Sequence, residues 1–581
     1  MLSFLDELPE SHPLVRAKRR AGRIKRYLKR KWWERNIGKQ YHAWLAESRT
    51  MPAESIDNAV PISVIVPVFN PPVRFLEECL ESVLNQTARN WELIVSDDGS
   101  TDPEVAAFLD TFTEQNAEDS RVVVMRGENG GISAAQNRAL ERVQHRYFGW
   151  LDHDDQLNPR AIELMSDASQ QAAQAPQVVY SDEDKIDAKG EHFELYCKPD
   201  FSPELLLTQM YLCHFTVFDT ELTRSVGGFR SEMDGAQDFD LALRLLPTLK
   251  NVHHIPHPLY HWRAWSESTA SSIDAKPWAQ QAAARAQQDY LNRSTGGMVA
   301  PSSIPGLNTV HPSLIETPKV SVIIPTIGTI SSETRRRFVD DAIATLRQAE
   351  STIELEVIVV TTGELAQIPG ADQQVIYKPD GVFNFAKAIN FGRSRATGEY
   401  LLLLNDDVTA HQRDPVLRLL EIAQRPGVGA VGAKLTYPDG RLQHAGIVML
   451  PSGPTHVHIA KPGNFAGYFG STLTPRNYSA VTAAAMLTAA EAFDSVGGFD
   501  TAFARDFNDV DYCLRLQEAG YRVAWSPYAH LTHHEGASIV RKAADRVELA
   551  EFQGRWADRY SVDPYYSPAL NPRLDRIYEA L

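Results

Sequence analysis

The stretch Trp150-Leu-Asp-His-Asp-Asp155 sets three carboxylates, Asp152, Asp154 and Asp155, at the end of an apolar run. Hard oxygen donors spaced in this way suit Mg²⁺ or Mn²⁺, and a cation so held can in turn hold a diphosphate. The bland alternative is an acidic turn capping the next helix, where Asp and Asn are favoured. Recurrence argues against it: Leu404-Asn-Asp-Asp-Val408 follows the apolar run Tyr400 to Leu404 in the same way. A second acidic group closes another run, in Ser96-Asp-Asp-Gly-Ser-Thr-Asp102. Asp97 and Asp98 there could accept hydrogen bonds from a nucleotide base or ribose, or form an ordinary Asp-Gly turn. Gly235-Ala-Gln-Asp-Phe-Asp-Leu-Ala-Leu-Arg244 opens a helical pattern at Asp238, whose simplest role is a cap. His261 follows a short apolar strand in Pro258-Leu-Tyr-His-Trp-Arg263, and histidines so placed are more often packed or hydrogen-bonded than ligands.

The elements that must position these residues read as α/β. Ile62 to Val66 is a β-branched run stopped by Pro67. Phe75 to Leu84 has helical periodicity through Phe75, Leu76, Cys79, Leu80 and Val83, and Trp91 to Val95 is again a strand. That is a βαβ unit, and in an open α/β sheet ligands bind beyond the carboxyl ends of the strands, where the acidic groups stand.

The second half repeats this order of parts. Lys319 to Pro325 matches Ile62 to Pro67, Glu354 to Val360 matches Trp91 to Val95, and Val496-Gly-Gly-Phe499 matches Val226-Gly-Gly-Phe229. Asn508-Asp509 matches Gln237-Asp238, and His533 matches His261 at nearly equal spacing. Independent caps and turns do not keep such intervals, so the chain reads as two copies of one domain. The segments expected are residues 1–60, basic and helical; 61–299, the first domain; 300–318, a Pro- and Ser-rich linker; and 319–581, the second domain with a C-terminal helical extension.

These strings carry a resemblance. Val66-Pro-Val-Phe-Asn70, Ser96 to Ser100, Leu151 to Asp155, Tyr180-Ser-Asp-Glu-Asp-Lys185, Lys198-Pro-Asp200 and Gln237 to Asp240 carry it in the first half. Phe383-Asn-Phe385, Leu404 to Val408, Tyr437-Pro-Asp-Gly440, Gln443-His-Ala-Gly446 and Asn508-Asp-Val-Asp-Tyr-Cys-Leu-Arg515 carry it in the second. The chain resembles family 2 glycosyltransferases of the GT-A fold, in particular the long bacterial proteins that build O-antigen and other surface glycans. The resemblance implies inverting, metal-dependent transfer from a nucleotide-sugar donor to a glycan or lipid-linked glycan. It assigns Asp152 and Asp154 to metal and diphosphate, His261 to the metal, Pro67, Asp97 and Asp98 to the nucleotide-sugar, and Asp238 to the general base. In the second half it assigns Asp509 to the base, Asn405 to the nucleotide-sugar, and Asp407 and His533 to the metal. His534 adjoins His533, and the choice between them stays open.

The halves also differ. Val360-Thr-Thr-Gly-Glu364 stands where Ser96-Asp-Asp-Gly-Ser100 stands in the first, and Asn405 replaces Asp152. Either the second domain reads its nucleotide differently, or it holds glycan without reacting. A metal-dependent nucleotidyltransferase would be expected to carry a basic phosphate-gripping loop after its first strand, and Pro67-Val-Phe-Asn-Pro-Pro72 has none.

The chain has 581 residues, 43% of them hydrophobic and 23% charged, which suits large globular cores and argues against disorder. Its four cysteines are scattered without a Cys-X-X-Cys pair, which fits a reducing cytoplasm and indicates neither a zinc site nor a disulfide framework. No opening signal peptide and no apolar run near 20 residues is read, so any membrane contact is expected at the surface. Between Arg16 and Lys39 stand twelve basic residues against the single acid Glu34, in a chain of net charge −16. With Leu28, Trp32, Trp33, Ile37 and Tyr41 interspersed, residues 16–41 resemble an interfacial helix on anionic lipid, which would make the protein peripheral on the inner face of the cell membrane. A helix packed on the acidic body is the alternative, and nothing else supports a nucleic-acid groove.

Overall fold

The computed structural model describes residues 60–578, apart from 172–173, 266–276, 303, 305, 379–382, 535–544, 561 and 574–577. The basic segment 16–41 lies outside the described residues.

The first half begins with strand β1 (Ile62–Val68), helix α1 (Val73–Leu84), β2 (Trp91–Asp97), α2 (Pro103–Gln115), β3 (Val122–Arg126), α3 (Ile132–Arg142) and β4 (Tyr147–Trp150). It continues through β5 (Gln156–Leu157), α4 (Ala161–Gln171), β6 (Val178–Asp187), β7 (His192–Tyr196), β8 (Thr216–Asp219), α5 (Gln237–Leu245), β9 (Val252–Ala264) and α6 (Pro277–Arg293). β1 and β2 are buried along their whole length, as β-branched strands covered on both faces must be. α1 turns Phe75, Leu76, Cys79, Leu80 and Val83 to the sheet, the stripe that its period sets. The strands lie in the order β3-β2-β1-β4-β8-β6-β9-β5, with β7 added to β6. β3, β2, β1 and β4 run parallel, while β8 is antiparallel to both β4 and β6. The chain therefore leaves β1 in two directions, toward β2 and toward β4, and at such a switch point a ligand crevice is expected beyond the carboxyl ends of the strands.

A hairpin of β10 (Gly297–Pro301) and β11 (Asn308–Pro312) follows, so the stretch expected as a linker contributes strand. The second half comprises β12 (Val320–Thr326), α7 (Phe338–Ala349), β13 (Leu355–Thr361), β14 (Gln373–Ile376), α8 (Phe385–Arg393), β15 (Tyr400–Leu404), β16 (Val408–Ala410), α9 (Pro415–Ala423), β17 (Val428–Thr436) and β18 (Leu442–His444). It ends with β19 (Ile447–Leu450), β20 (Gly453–His456), β21 (Arg476–Asn477), β22 (Ala485–Ala489), α10 (Asn508–Glu518), β23 (Arg522–His533) and α11 (Arg546–Arg555). Its sheet runs β14-β13-β12-β15-β22-β17-β23-β16, strand for strand the order of the first.

The duplication extends to buried polar clamps. Ser63 donates to Glu92 at 2.9 Å, and Ser321 to Glu356 at 2.6 Å. Asn137 exchanges two hydrogen bonds with the Phe229 backbone, as Asn390 does with Phe499. Arg244 grips Asp240 and the carbonyls of Val226 and Gly228, and Arg515 grips Asp511 and those of Val496 and Gly498. The paired glycines of each Val-Gly-Gly-Phe turn have positive φ, and a Cβ at Gly228 would strike Asn137 Oδ1.

The halves share a core. Leu195 and Cys197 of the first pack among the buried residues of the second, and Phe469 stacks on Tyr196 with centroids 3.9 Å apart. Glu204, fully buried, is met by Arg522 at 2.9 Å and Arg425 at 3.6 Å. Burial would raise its carboxyl, but the two guanidiniums outweigh that and hold it below the usual range. Among the described residues no helix is long and apolar enough to cross a membrane.

Candidate active site

Strand ends bring the sequence-derived residues of the first half to the crevice. β4 delivers Asp152, His153, Asp154 and Asp155 just beyond Trp150, and the four do not share one environment. Asp155 is fully buried: Tyr260 Oη donates to it at 2.5 Å and the Arg263 amide at 2.6 Å. Burial pushes its carboxyl well above the usual range, with Asp154 and Asp152 adding to the rise. The third carboxylate of the motif is thus a strut for β9, while Asp152 and Asp154 stay half-buried at the opening. His153 Nδ1 lies 3.1 Å from the carbonyl of Pro67, tying the motif to β1. Trp265, just past β9, donates its indole N–H to Asp154 Oδ2 at 2.7 Å.

Asp97 and Asp98 do build a turn, closed locally by Asp97 and tied to a distant loop by Asp98. Asp97 Oδ1 accepts from the Ser100 amide at 3.1 Å, and Asp98 accepts from the amides of Gly130 and Gly131 at the start of α3. Asn70, at the end of Val66-Pro-Val-Phe-Asn70, accepts from the amides of Thr101 and Asp102. Gly99 has φ +72°, and a Cβ there would come within 2.9 Å of the Asn129 amide. Three loops are therefore locked together beside β1.

Asp238 stands in the first turn of α5, half-buried, its Oδ1 accepting from the Phe239 amide at 2.7 Å. Burial raises its carboxyl, His214 partly offsets the rise, and Asp152 adds to it, so base candidate and acidic motif lie within electrostatic reach of each other. The neighbouring Asp240 is consumed by Arg230 and Arg244. His214 stacks on Tyr260 at 4.6 Å, and its buried Nδ1 has no hydrogen-bond partner.

His261 takes a different neighbourhood from the one expected. It is opposite Asp184 in the β6–β9 ladder, and its Nδ1 lies 2.6 Å from Asp184 Oδ1. His192 Nδ1 approaches the other oxygen of that carboxylate at 2.8 Å, and Asp184, His192 and His261 form the one group of convergent metal-type donors found among the described residues. Burial would raise the Asp184 carboxyl, but His261 and His192 outweigh it and hold it low.

In the second half Asp407 lies 3.1 Å from His533 Nε2, and His533 Nδ1 is buried without a hydrogen-bond partner. His534 turns away, its Nε2 being 3.4 Å from Thr409 Oγ1, so the geometry puts His533 and not His534 on the carboxylate. The two histidines matched by spacing are not equivalent in the sheets. His261 faces Asp184, whereas the residue opposite the corresponding Thr436 is Thr532, one position before His533. A one-residue offset on a strand sends a side chain to the other face. Asn405 keeps its place after β15, and Asp406 accepts from Thr326 Oγ1 at 2.6 Å. Burial lifts the Asp406 carboxyl to about 6, and Asp407 contributes. Asp509 opens α10 as Asp238 opens α5, and its Oδ2 accepts from the Ala483 amide at 3.1 Å. Asp511 is taken by Arg515, Arg555 and Trp556. The Gln443-His-Ala-Gly446 string supplies buried His444, whose Nδ1 lies 3.1 Å from His456 Nδ1 and whose Nε2 accepts from Thr482, next to Ala483.

His192, His214, Trp265 and His456 stand in no motif of the sequence. Asp184 and His444 lie inside the Tyr180 to Lys185 and Gln443 to Gly446 strings, but nothing in their spacing gives them a partner.

The model of the family described as "Glycosyl transferase family 2" matches residues 63–227 and 321–474, more than half of the chain and part of each large sheet. The chain belongs to that family and is a glycosyltransferase. It is 39% identical over 565 residues to the protein y4gI of Sinorhizobium fredii, covering 92% of this chain and 60% of that one. It is 33% identical over 562 residues to the O-antigen biosynthesis protein RfbC of Myxococcus xanthus, covering 91% of this chain and 42% of that one. The chain thus spans about half the length of these relatives. The solved structure of S. aureus TarS 1–349 covers 40% of this chain and 73% of its own at 17% identity, with a TM-score of 0.30.

Proposed function

We propose that the chain is an inverting glycosyltransferase with two active sites, moving sugars from nucleotide-sugar donors onto a growing bacterial surface glycan such as O-antigen or capsule. The observation that carries this reading is the repeated carboxylate pair: Asp238 and Asp509 each open a helix beside the crevice, while the Asp two residues on is neutralised by arginine in both halves. One member of each pair is left to act on a substrate. The printed name of the RfbC relative supports the class of glycan.

In the first site Asp238 accepts the proton of the acceptor hydroxyl as that oxygen attacks the anomeric carbon, and its raised carboxyl makes it a stronger base than an ordinary aspartate. The locked loops carrying Asp97 and Asp98 form the wall toward the nucleotide, with Pro67 beneath it. Two half-buried carboxylates stand beside a third whose oxygens are taken by Tyr260 and the Arg263 amide, and this donor set fits a hard divalent cation. Mg²⁺ or Mn²⁺ held by Asp152 and Asp154, and by Asp407 and His533 in the second site, would stabilise charge on the departing diphosphate. A single base facing the leaving group gives inversion, whereas flanking carboxylate pairs suit hydrolysis. Domains at 61–299 and 319–581 joined through 300–318, and attachment of residues 16–41 to the anionic cytoplasmic face of the membrane, complete the proposal.

A second reading, that only the first domain reacts and the second holds glycan, is favoured by Thr361 and Thr362 in place of Asp97 and Asp98, and by Asn405 in place of Asp152. The proposal is tested by offering the full chain a panel of nucleotide-sugars with a glycan acceptor. Acceptor-dependent release of nucleoside diphosphate, with sugar on the acceptor, is expected; no release from any donor would reject it.

A further inference from the structure

Outside the acidic motif the first half holds a second constellation of metal-type donors. Asp184 on β6 is fully buried, His261 on β9 is 5% exposed, and the side chain of His192 at the start of β7 is 10% exposed. β6 pairs with β7 on one side and β9 on the other, setting His261 opposite Asp184 and His192 opposite Ile186, two residues along. The imidazoles therefore arrive from opposite flanks, each with Nδ1 on a different oxygen of one carboxylate, at 2.6 and 2.8 Å. Their rings cross nearly at right angles with centroids 4.6 Å apart, and the three donor atoms lie within 4.8 Å of one another. Metal–ligand bonds of about 2.0 to 2.2 Å to nitrogen and oxygen need donors only slightly further apart than these. Two imidazoles and a carboxylate are a borderline donor set, suited to Zn²⁺, Co²⁺ or Mn²⁺ rather than to Mg²⁺.

We infer that Asp184, His192 and His261 form a transition-metal site separate from the Asp152 and Asp154 pair. β9 gives it a consequence. Two residues after His261 the Arg263 amide binds Asp155, and two further on Trp265 binds Asp154. A metal that fixes His261 therefore fixes the end of the strand that holds the acidic motif in place. It is a positioning site for the crevice, and it does not depend on which sugar is transferred.

The test is direct binding to the full chain, stripped of metal by chelator and dialysed. Co²⁺ is titrated without nucleotide and followed by its visible absorption and by calorimetry. A Co²⁺ bound through imidazole is expected whose affinity falls at least tenfold in His192→Ala and is retained in Asp154→Asn, apart from any ion held at Asp407 and His533. His192→Cys replaces a nitrogen donor by a thiolate and is expected to keep the ion while adding a thiolate-to-cobalt band in the near ultraviolet. That variant decides the matter even if His192→Ala folds poorly. The inference is overturned if wild type binds no Co²⁺, if His192→Ala binds as tightly as wild type, if the site is lost with Asp154→Asn instead, or if His192→Cys shows no new band.

Discussion

His533 Nε2 sits 3.1 Å from Asp407 Oδ1 with its other ring nitrogen buried and unpartnered, while the adjoining His534 points toward Thr409. If Asp407 and His533 hold a divalent cation, His533→Ala is expected to weaken the metal dependence of the second transfer by about tenfold to a hundredfold or more, the scale already seen for outer-shell partners. His534→Ala is expected to leave it nearly unchanged. Mn²⁺ titration of the second transfer, with the full chain in each case, distinguishes the two.

Asp238 gives the first transfer its pH dependence. Burial raises its carboxyl, so the proton is held to a higher pH than an ordinary aspartate would hold it, and the basic form is lost earlier as the pH falls. The acid limb of kcat/KM for the first transfer is therefore expected above the usual carboxylate range. An acid limb at the value of a free aspartate would contradict this.

Buried Asp98 accepts from the amides of Gly130 and Gly131, and Asp98→Ala would remove the charged acceptor that anchors the start of α3. A cost of about 1 to 3 kcal/mol is expected, felt locally as a rise in KM for the donor of the first transfer. Thr362 occupies the corresponding place in the second half, so the second donor should be unaffected. Separate KM measurements for the two donors check it.

Glu204 joins the halves. Its carboxyl is held low against burial by Arg522 and Arg425, so it contributes stability at pH above the ordinary glutamate range that is lost as the pH falls through its lowered value. Glu204→Gln leaves two arginines facing a neutral group and is expected to cost about 3 to 5 kcal/mol, by analogy with other broken buried pairs. Denaturant unfolding of the full chain at neutral pH measures it.

Much of this architecture was legible in the sequence because the repeat made it so. One Asp-X-Asp is a turn as readily as a site, but two copies at similar intervals after Pro67 and Pro325 mark the strand ends, and both sheets have the same strand order. What could not be read was the division of labour within each string. Asp155 and Asp240 look like Asp154 and Asp238 on paper, and only the folded chain brings Tyr260 to the one and Arg244 to the other. The pairing of His261 with His533 rested on counting residues. The strand registers differ by one position there, which the interval cannot reveal and which turns the side chains to different partners. His192 is eight residues from Asp184, a separation that becomes a contact only because β6 and β7 pair.

The claim that both halves react is met most directly by two single variants of the full chain, Asp238→Asn and Asp509→Asn, with products identified by the sugar they lack. Removing a general base costs about 10² to 10⁴ in rate. Each variant is expected to abolish one transfer and spare the other. If Asp509→Asn leaves every product unchanged while Asp238→Asn stops all transfer, the second domain does not catalyse and the two-site account is wrong.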